Sequence, residues 1–221
     1  MAKCICVYTC SMREADRLRR ERIAQAAVTI LRERGYRRAS LLEIAKAAGA
    51  SNQTMYRWYG SKQGLFRSLI EGNAARAKER LDAALDGEHD PIAALDDLAL
   101  LVLRTVTGAS AIDLNRAAAA DASETNELGA ALAAAGRGQI VPRVIELVER
   151  AHRSGALAAP DAAEAAERWV ALIVGDLQIR IVTGAMAAPS DAELAARAAS
   201  GSRAFLALHR PALGPAGGGV A

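Results

Sequence analysis

Residues 40–62, SLLEIAKAAGASNQTMYRWYGSK, decide the fold that the sequence predicts. Ser40 and Glu43 have the spacing of a capping box, which begins a helix. Gly49 suits the end of that helix, because glycine adopts the positive φ at which a chain reverses. Ser51 then caps a second helix, which ends near Gly60. The stretch therefore predicts two short helices joined by a tight turn.

The second helix carries polar side chains that have no core to enter. The apolar residues that close the turn on one side are Leu41, Ile44, Ala45, Ala48, Ala50, Met55 and Trp58. The side chains left pointing away are Asn52, Gln53, Thr54, Tyr56 and Arg57. A helix-turn-helix places such a helix in the DNA major groove. An ordinary helical hairpin with a solvated face is the alternative interpretation.

Each polar group of this stretch suits a particular contact with DNA. Asn52, Gln53 and Arg57 have the geometry for bidentate contacts with base edges, and Thr54 suits a base hydrogen bond or a thymine methyl group. Tyr56 and Lys62 are better placed to bind phosphates. The N-terminal dipole of the helix that begins at Lys62 supports binding of an anion there.

The flanking segments also read as helices. Residues 13–34 repeat apolar groups every three or four positions, and Gly35 suits the position after the helix end. Ser61 caps the long helix from Lys62, which has a clear apolar stripe. The N-terminal part is thus expected to be a three-helix helix-turn-helix domain over residues 13–72.

Charge divides the chain into two parts. Residues 1–80 hold 17 Lys and Arg against 7 Asp and Glu, which leaves 11 against 18 for the remainder. A basic head on an acidic body suggests that the head binds a polyanion. Aromatic residues make up only 4% of the chain, so the core is expected to be built from Ala, Leu, Val and Ile. The composition and the lack of alternating segments predict an all-α protein.

The rest of the chain is expected to be a helical body over residues 73–209. Its predicted segments are 91–107, 110–122, 125–135, 139–154, 161–183 and 190–209, for about nine helices in all. We expect flexible tails at residues 1–12 and 210–221. No run is long enough for a membrane span and no secretory signal is evident, so a soluble cytoplasmic protein is expected.

Several motifs together resemble one known family over about fifty residues. They are Ile23-x2-Ala26-Ala27, Gly35-Tyr36, Ser40-Leu-Leu-Glu-Ile44-Ala45, Ala48-Gly49-Ala-Ser51, Met55-Tyr56-Arg-Trp-Tyr59 and Ser61-Lys62-x2-Leu65-Phe66. This combined pattern resembles the N-terminal domain of the TetR (tetracycline-repressor) family of transcriptional regulators. The segment from Asp113 to Ala122 is similar to one that recurs in a broad group of their C-terminal domains.

The resemblance implies a ligand-responsive repressor that binds a palindromic operator as a homodimer. Ser40, Tyr56 and Lys62 match the family's phosphate-contact positions, and Ser51 lies at the start of its recognition helix. Trp58 stands where the family often has His, and Arg57 where Tyr is frequent, so the operator sequence stays open. The family forms its dimer through the last two long helices, here 161–183 and 190–209. The alternative is that their apolar stripes serve only the core.

The resemblance also implies a C-terminal ligand-binding domain, but the effector is less clear from the sequence. The charged residues Arg104, Arg116, Asp121 and Arg143 lie in otherwise apolar helices, and Trp169 is one of two aromatic residues there. These five residues are the candidates for lining a ligand pocket. The alternative for each charged residue is a solvent-facing or paired side chain. A small apolar or weakly acidic effector is the working hypothesis.

Two further classes compete with this interpretation. Cys4, Cys6 and Cys10 would give a thiol- or metal-responsive DNA-binding regulator, although their spacing fits no structural zinc pattern. An all-helical enzyme would need a catalytic constellation. Three His residues, no glycine loop for nucleotides and no persuasive triad argue against that class, and we expect no catalytic residues, metal site or cofactor.

Overall fold

The computed structural model describes residues 2–85 and 90–211, with side chains from residue 14 to 83 and from 90 to 211. These ranges contain helices, turns and bends but no strand, so the all-α prediction is confirmed. The helices are α1 Ala2–Arg38, α2 Leu41–Ala48, α3 Asn52–Tyr59, α4 Lys62–Leu85, α5 Pro91–Thr107, α6 Ala109–Asp121, α7 Glu127–Ala135, α8 Arg137–Arg153, α9 Ala162–Ile173, α10 Leu177–Val182 and α11 Asp191–Leu208.

The chain forms two compact units that do not follow the expected domain limits throughout. The first unit contains Met1–Asn73 and Asp113–Leu132, and the second contains Ala74–Ile112 and Ala133–Ala221. The first segment of the first unit ends at Asn73. The sequence places 113–132 in the C-terminal body, whereas most of α6 and the start of α7 pack with the N-terminal helices. Ion pairs such as Arg32 with Asp113 and Arg67 with Glu127 join the two segments of this unit.

The first unit is built around the turn that the sequence predicts. Ile44 of α2 and Met55 of α3 are fully buried, together with Phe66 of α4. Gly49 has φ 62° and ψ 34°, the left-handed conformation expected for it. The Ala50 amide donates to the Ala45 carbonyl at 2.9 Å, which closes the reversal between α2 and α3. The predicted helix-turn-helix is therefore confirmed.

The second unit packs α5, α8, α9 and α11 around an aliphatic core. Leu98, Leu103, Val144 and Ile173 are fully buried, and Trp169 lies among them. α9 and α11 cross closely at Gly201. A Cβ atom there would lie 2.6 Å from the Ile173 Cδ1 atom and 3.1 Å from the Leu172 carbonyl oxygen. Glycine thus permits this crossing.

The helix expected over residues 161–183 is divided into α9 and α10. Gly175 has φ +51° and interrupts the α-helical backbone. The interruption frees carbonyl groups at the end of α9, which then need new donors. The Arg197 guanidinium of α11 supplies them, donating to the Ile173 oxygen at 2.7 Å and to the Val174 oxygen at 2.9 Å. A side chain from a neighbouring helix thus stabilises the break.

The ends of the chain are only partly described. α1 begins at Ala2, so the backbone of residues 2–12 is helical where we expected a flexible tail. The side chains of Cys4, Cys6 and Cys10 and the tail from residue 212 onward lie outside the described residues. Within the described part, no helix has both the length and the apolar character to cross a membrane.

Candidate nucleic-acid interface

The exposed face of α3 presents the side chains that the sequence assigned to DNA. Met55 is buried at the centre of the helix, whereas Asn52, Gln53 and Arg57 are exposed and the Tyr56 side chain is 60% exposed. The Thr54 amide donates to the Ser51 hydroxyl oxygen at 3.1 Å, which confirms Ser51 as the N-cap. Thr54 is half-buried beside this cap. One helix therefore presents amide, phenol and guanidinium groups together on a single surface.

Ser40 caps α2, but its partner Glu43 does not complete the expected capping box. The Ser40 oxygen accepts the Glu43 amide at 3.2 Å, and its hydroxyl donates to the Glu43 carboxylate at 3.0 Å. That carboxylate also pairs with Arg34 instead of bonding the Ser40 amide. The Ser40 hydroxyl has to exchange the carboxylate for a phosphate oxygen if it contacts DNA.

Lys62 is held at the start of α4 by Tyr36. Its Nζ atom lies 4.2 Å from the centre of the Tyr36 ring and donates to the Tyr36 carbonyl oxygen at 3.2 Å. An ammonium group has three donors, so this carbonyl leaves further donor capacity for a phosphate. The side chain is half-buried. Its stem is thus ordered before any ligand arrives.

Tyr36 in turn donates its hydroxyl to Asp121, one of the residues that the sequence suggests for a ligand pocket. The oxygen-to-oxygen distance is 3.0 Å and the Asp121 side chain is fully buried. Burial raises the pKa of Asp121, but hydrogen bonds from Thr125, the Leu128 amide and Tyr36 outweigh it and hold the pKa below its ordinary value. Burial and the bond to Asp121 raise the pKa of Tyr36. Asp121 is thus buried and hydrogen-bonded inside the first unit.

Many basic residues of the first unit are neutralised within the protein. Salt bridges among its described side chains engage Arg17, Arg19, Arg32, Arg34, Arg37 and Arg67. Neither Arg57 nor Lys62 belongs to this set. The positive charge available to a phosphate backbone is therefore smaller than the number of Lys and Arg residues suggests. The charges of Arg57 and Lys62 are not neutralised by these salt bridges.

Trp58 makes a contact that sequence reasoning missed. The sequence places it on the apolar side of the turn, whereas the Arg20 guanidinium lies 4.5 Å and the Arg19 guanidinium 6.0 Å from its ring. These are cation–π distances, at which a cation is attracted to the face of an indole. The crowding of arginines over residues 17–22 of α1 was the available signal. The contacts tie α1 to the C-terminal end of α3.

The other residues proposed for a ligand pocket are dispersed. The Arg143 guanidinium donates to the Asp82 carboxylate at 2.6 Å; hydrogen bonds from Lys78 and Arg143 hold the pKa of Asp82 below its ordinary value. Arg116 is exposed on α6. Trp169 is fully buried, and its indole Nε1 has no hydrogen-bond partner among the described residues. Arg116 and Asp121 belong to the first unit, whereas Arg104, Arg143 and Trp169 belong to the second.

Arg104 lines a groove between α5 and α11, where it pairs with Asp191 at 3.2 Å. The groove has a volume of about 560 Å³, and its walls include Leu101 of α5 and Leu206 of α11. Ser202 also lines it, and its buried hydroxyl has no partner among the described residues. The described side chains contain no group of three or more His, Cys, Asp or Glu residues arranged to hold a metal.

Comparisons with known proteins match both parts of the chain. Residues 23–69 match the bacterial regulatory proteins of the tetR family, and residues 93–211 match the C-terminal domain of AefR-like transcriptional repressors. A crystal structure of a TetR transcriptional regulator from Agrobacterium tumefaciens is 31% identical, with a TM-score of 0.66. The alignment covers 86% of this chain and 94% of that one.

Two curated relatives match over shorter segments. The HTH-type transcriptional repressor NicS of Pseudomonas putida is 34% identical over 94 residues, 40% of this chain and 42% of NicS. The HTH-type transcriptional regulator YvdT of Bacillus subtilis is 32% identical over 78 residues, 35% of this chain and 40% of YvdT. The matches thus span about two fifths of these relatives. Because the C-terminal family match alone covers more than half of the 221 residues, the chain belongs to the tetR family of bacterial regulatory proteins.

Proposed function

We propose that the protein regulates transcription by binding a palindromic DNA operator as a homodimer. The observation that carries this proposal is the exposed polar face of α3, backed by the buried Met55, with Lys62 ordered at the start of the next helix. A face of this kind matches the width and chemistry of the major groove. Such a regulator acts in the cytoplasm, where the bacterial chromosome lies.

The side chains divide by the part of DNA that they contact. Asn52, Gln53 and Arg57 contact base edges and set the sequence, with Thr54 supplying a shorter contact. Tyr56 and Lys62 bind phosphates, together with the caps Ser40 and Ser51, and set the position of α3 on the duplex. In this scheme, loss of a phosphate contact weakens binding to every sequence, while loss of a base contact changes the preferred sequence.

The homodimer forms through α9–α10 and α11. Exposed apolar side chains at Ile179 of α10 and Leu208 of α11, 58% and 65% exposed, support this choice. α11 also exposes small residues outside the groove with α5 that allow close helix packing: Ala192, Ala196 and Ala207. The dimer holds two copies of α3 about one DNA turn apart, roughly 34–36 Å, so that both enter successive major grooves.

A small-molecule effector releases the dimer from DNA, and the protein acts as a repressor in its absence. NicS, which carries the name of a transcriptional repressor, supports repression as the direction. The effector binds the second unit, where the buried Trp169 indole offers a donor that has no partner among the described residues and Arg104 borders a groove. Such a ligand shifts the equilibrium only by the difference in its affinity for the two states.

Anisotropy titrations of labelled DNA with two alanine variants test the DNA contacts. Lys62→Ala is expected to weaken binding to operator and random duplexes alike and to lower the slope of log K against log salt by about one. Gln53→Ala is expected to alter the preference between sequences, because it removes a base contact.

Lys46→Ala is the matched control, since it removes one exposed lysine from α2 in the same unit. It should leave the sequence preference unchanged and have a smaller effect on binding than Lys62→Ala. If the Lys62 and Gln53 variants both bind like the wild type at every salt concentration, the proposed interface is wrong.

A further inference from the structure

We propose that Asp121, which lies outside the helix-turn-helix sequence, is a positioning residue for the DNA contact of Lys62 and acts through Tyr36. The inference rests on the proposed function, because it takes the Lys62 ammonium as a phosphate ligand. Lys62 and Asp121 are 59 positions apart, yet both lie in the first unit. A chain of contacts through Tyr36 connects them.

The first link joins Lys62 to Tyr36. The ammonium is 4.2 Å from the ring centre and 3.2 Å from the Tyr36 carbonyl oxygen, so two features of one residue hold it. A lysine that is free in solution samples many rotamers and loses them when it binds. Holding the stem against Tyr36 beforehand reduces that loss, which is how preorganisation increases affinity.

The second link joins Tyr36 to Asp121. The phenol donates to the Asp121 Oδ1 atom at 3.0 Å, and the ring packs edge-on against Phe66 with centres 5.2 Å apart. Tyr36 follows Gly35, where the backbone leaves helical geometry at φ 74° and ψ 166°. Phe66 and Asp121 therefore hold the ring from two directions. The negative acceptor also polarises the phenol, which strengthens the attraction between the ring and a cation.

The third link consists of the hydrogen bonds that hold the Asp121 carboxylate in position. Its carboxylate accepts the Thr125 hydroxyl at 2.8–2.9 Å and the Leu128 amide at 3.2 Å, in addition to Tyr36. The salt bridges found among the described side chains do not include Asp121. Neutral donors from α1, α7 and the turn between α6 and α7 thus stabilise a fully buried charge. Movement of this turn would be transmitted to the Tyr36 ring.

A double-mutant cycle in DNA binding tests the proposed role. Tyr36→Phe removes the hydroxyl but keeps the ring and its packing on Phe66, and it is combined with Lys62→Ala. Affinity is measured by anisotropy on a fluorescein-labelled random-sequence duplex at low salt. We expect Tyr36→Phe to weaken binding by roughly threefold to tenfold in the wild-type background, as for partial loss of one ordered charge contact. In the Lys62→Ala background it should have no effect.

Asp121→Asn is the second variant, because it keeps the volume of the side chain, and it should give the same pattern. Ser123→Ala serves as the control, since it removes a different hydroxyl of this turn, one that accepts from Arg37 at 3.0 Å. It should leave affinity unchanged in both backgrounds. Thermal melts of every variant show which of them lose stability.

Two results would overturn the inference, and they differ in what else they affect. If Tyr36→Phe and Asp121→Asn weaken binding by the same factor with and without Lys62, or leave it unchanged in the wild-type background, Asp121 does not act through Lys62 and the proposed function is untouched. If Lys62→Ala itself leaves binding unchanged, the phosphate contact of the proposed function is wrong and the inference fails with it.

Discussion

Asp121 keeps a negative charge in the interior of the first unit with hydrogen bonds rather than a salt bridge among the described side chains. A buried carboxylate costs free energy unless its oxygens are satisfied. Here Tyr36, Thr125 and the Leu128 amide satisfy them. The folded state therefore prefers the ionised form, and the pKa of Asp121 lies below its ordinary value although burial acts in the opposite direction.

The low pKa of Asp121 predicts how stability depends on pH. A carboxyl with a depressed pKa stabilises the fold fully above its unfolded pKa of about 3.9, and this contribution is lost as pH falls through the folded pKa. The free energy of unfolding of the wild type should therefore exceed that of Asp121→Asn most at pH 7. Urea denaturation between pH 7 and pH 3 measures the difference, which should shrink below about pH 4.

Asp97→Asn is a suitable control for this pH series, since Asp97 is exposed on α5. Its difference from the wild type should stay small throughout. A gap between the wild type and Asp121→Asn that grows in acid would contradict the assigned direction of the pKa shift.

The sequence predicted the local role of Ser51 but not that of Asp121. A cap such as Ser51 acts on an amide three positions away, so the residues themselves carry the signal. Asp121 bonds to Tyr36, which is 85 positions away, and no local pattern indicates that partner. Because no local pattern shows this partner, the sequence suggests a ligand pocket for Asp121, a charged residue in an otherwise apolar helix. The prediction for Trp58 had the same limit, because its partners Arg19 and Arg20 lie on another helix.

At the level of the helices, the crossing of α9 and α11 depends on one glycine. A Cβ atom on Gly201 would come within 3.1 Å of the Leu172 carbonyl oxygen, a backbone atom that cannot rotate away. Gly201→Ala should therefore destabilise the fold by about 1–3 kcal/mol through overpacking. The gain in helix propensity, about 1 kcal/mol, offsets part of this loss. Urea denaturation measures the net change.

Gly138→Ala on α8 provides the matched control, because the nearest atom to its Cβ would be 3.6 Å away, an ordinary contact. That substitution should leave stability unchanged or raise it by up to about 1 kcal/mol. Equal effects of the two substitutions would show that the crossing does not require glycine at position 201.

Helix starts were easier to predict than helix breaks. The helix expected over residues 190–209 begins at Asp191 after the cap Ser190, and its capping box is complete, with the Ser190 amide donating to the Glu193 carboxylate at 2.7 Å. The division between α9 and α10 was missed, because the apolar pattern continues across Gly175. Arg197 stabilises that break from α11, and its reach to the Ile173 carbonyl is a tertiary contact.

For the whole molecule, the sequence did not predict the place of residues 113–132. Periodicity correctly gave helices there, and their order along the chain suggested the C-terminal body. Ion pairs and hydrogen bonds with α1 and α4 instead join this segment to the first unit. Such pairs join residues 60 to 85 positions apart in sequence. Local sequence patterns do not indicate contacts at that separation.

The placement of 113–132 gives the proposed regulation a physical route. The segment belongs to the same unit as α3, and its two ends continue into the second unit in sequence. An effector bound by the second unit would act on DNA binding through a change in this segment. The contact of Asp121 with Tyr36 is one point where such a change would reach the DNA-binding residues.

A binding selection with the full chain tests whether a dimer reads a palindromic operator through α3. Duplexes with a randomised centre longer than two helical turns are incubated with the purified protein, and the bound fraction is sequenced over successive rounds. We predict enrichment of a two-fold symmetric site with half-site centres one helical turn, about 10 base pairs, apart. Gln53→Ala should enrich a different base within each half-site. Failure to enrich any sequence, or enrichment of a site without two-fold symmetry, would contradict the account of a dimer that reads an operator through α3.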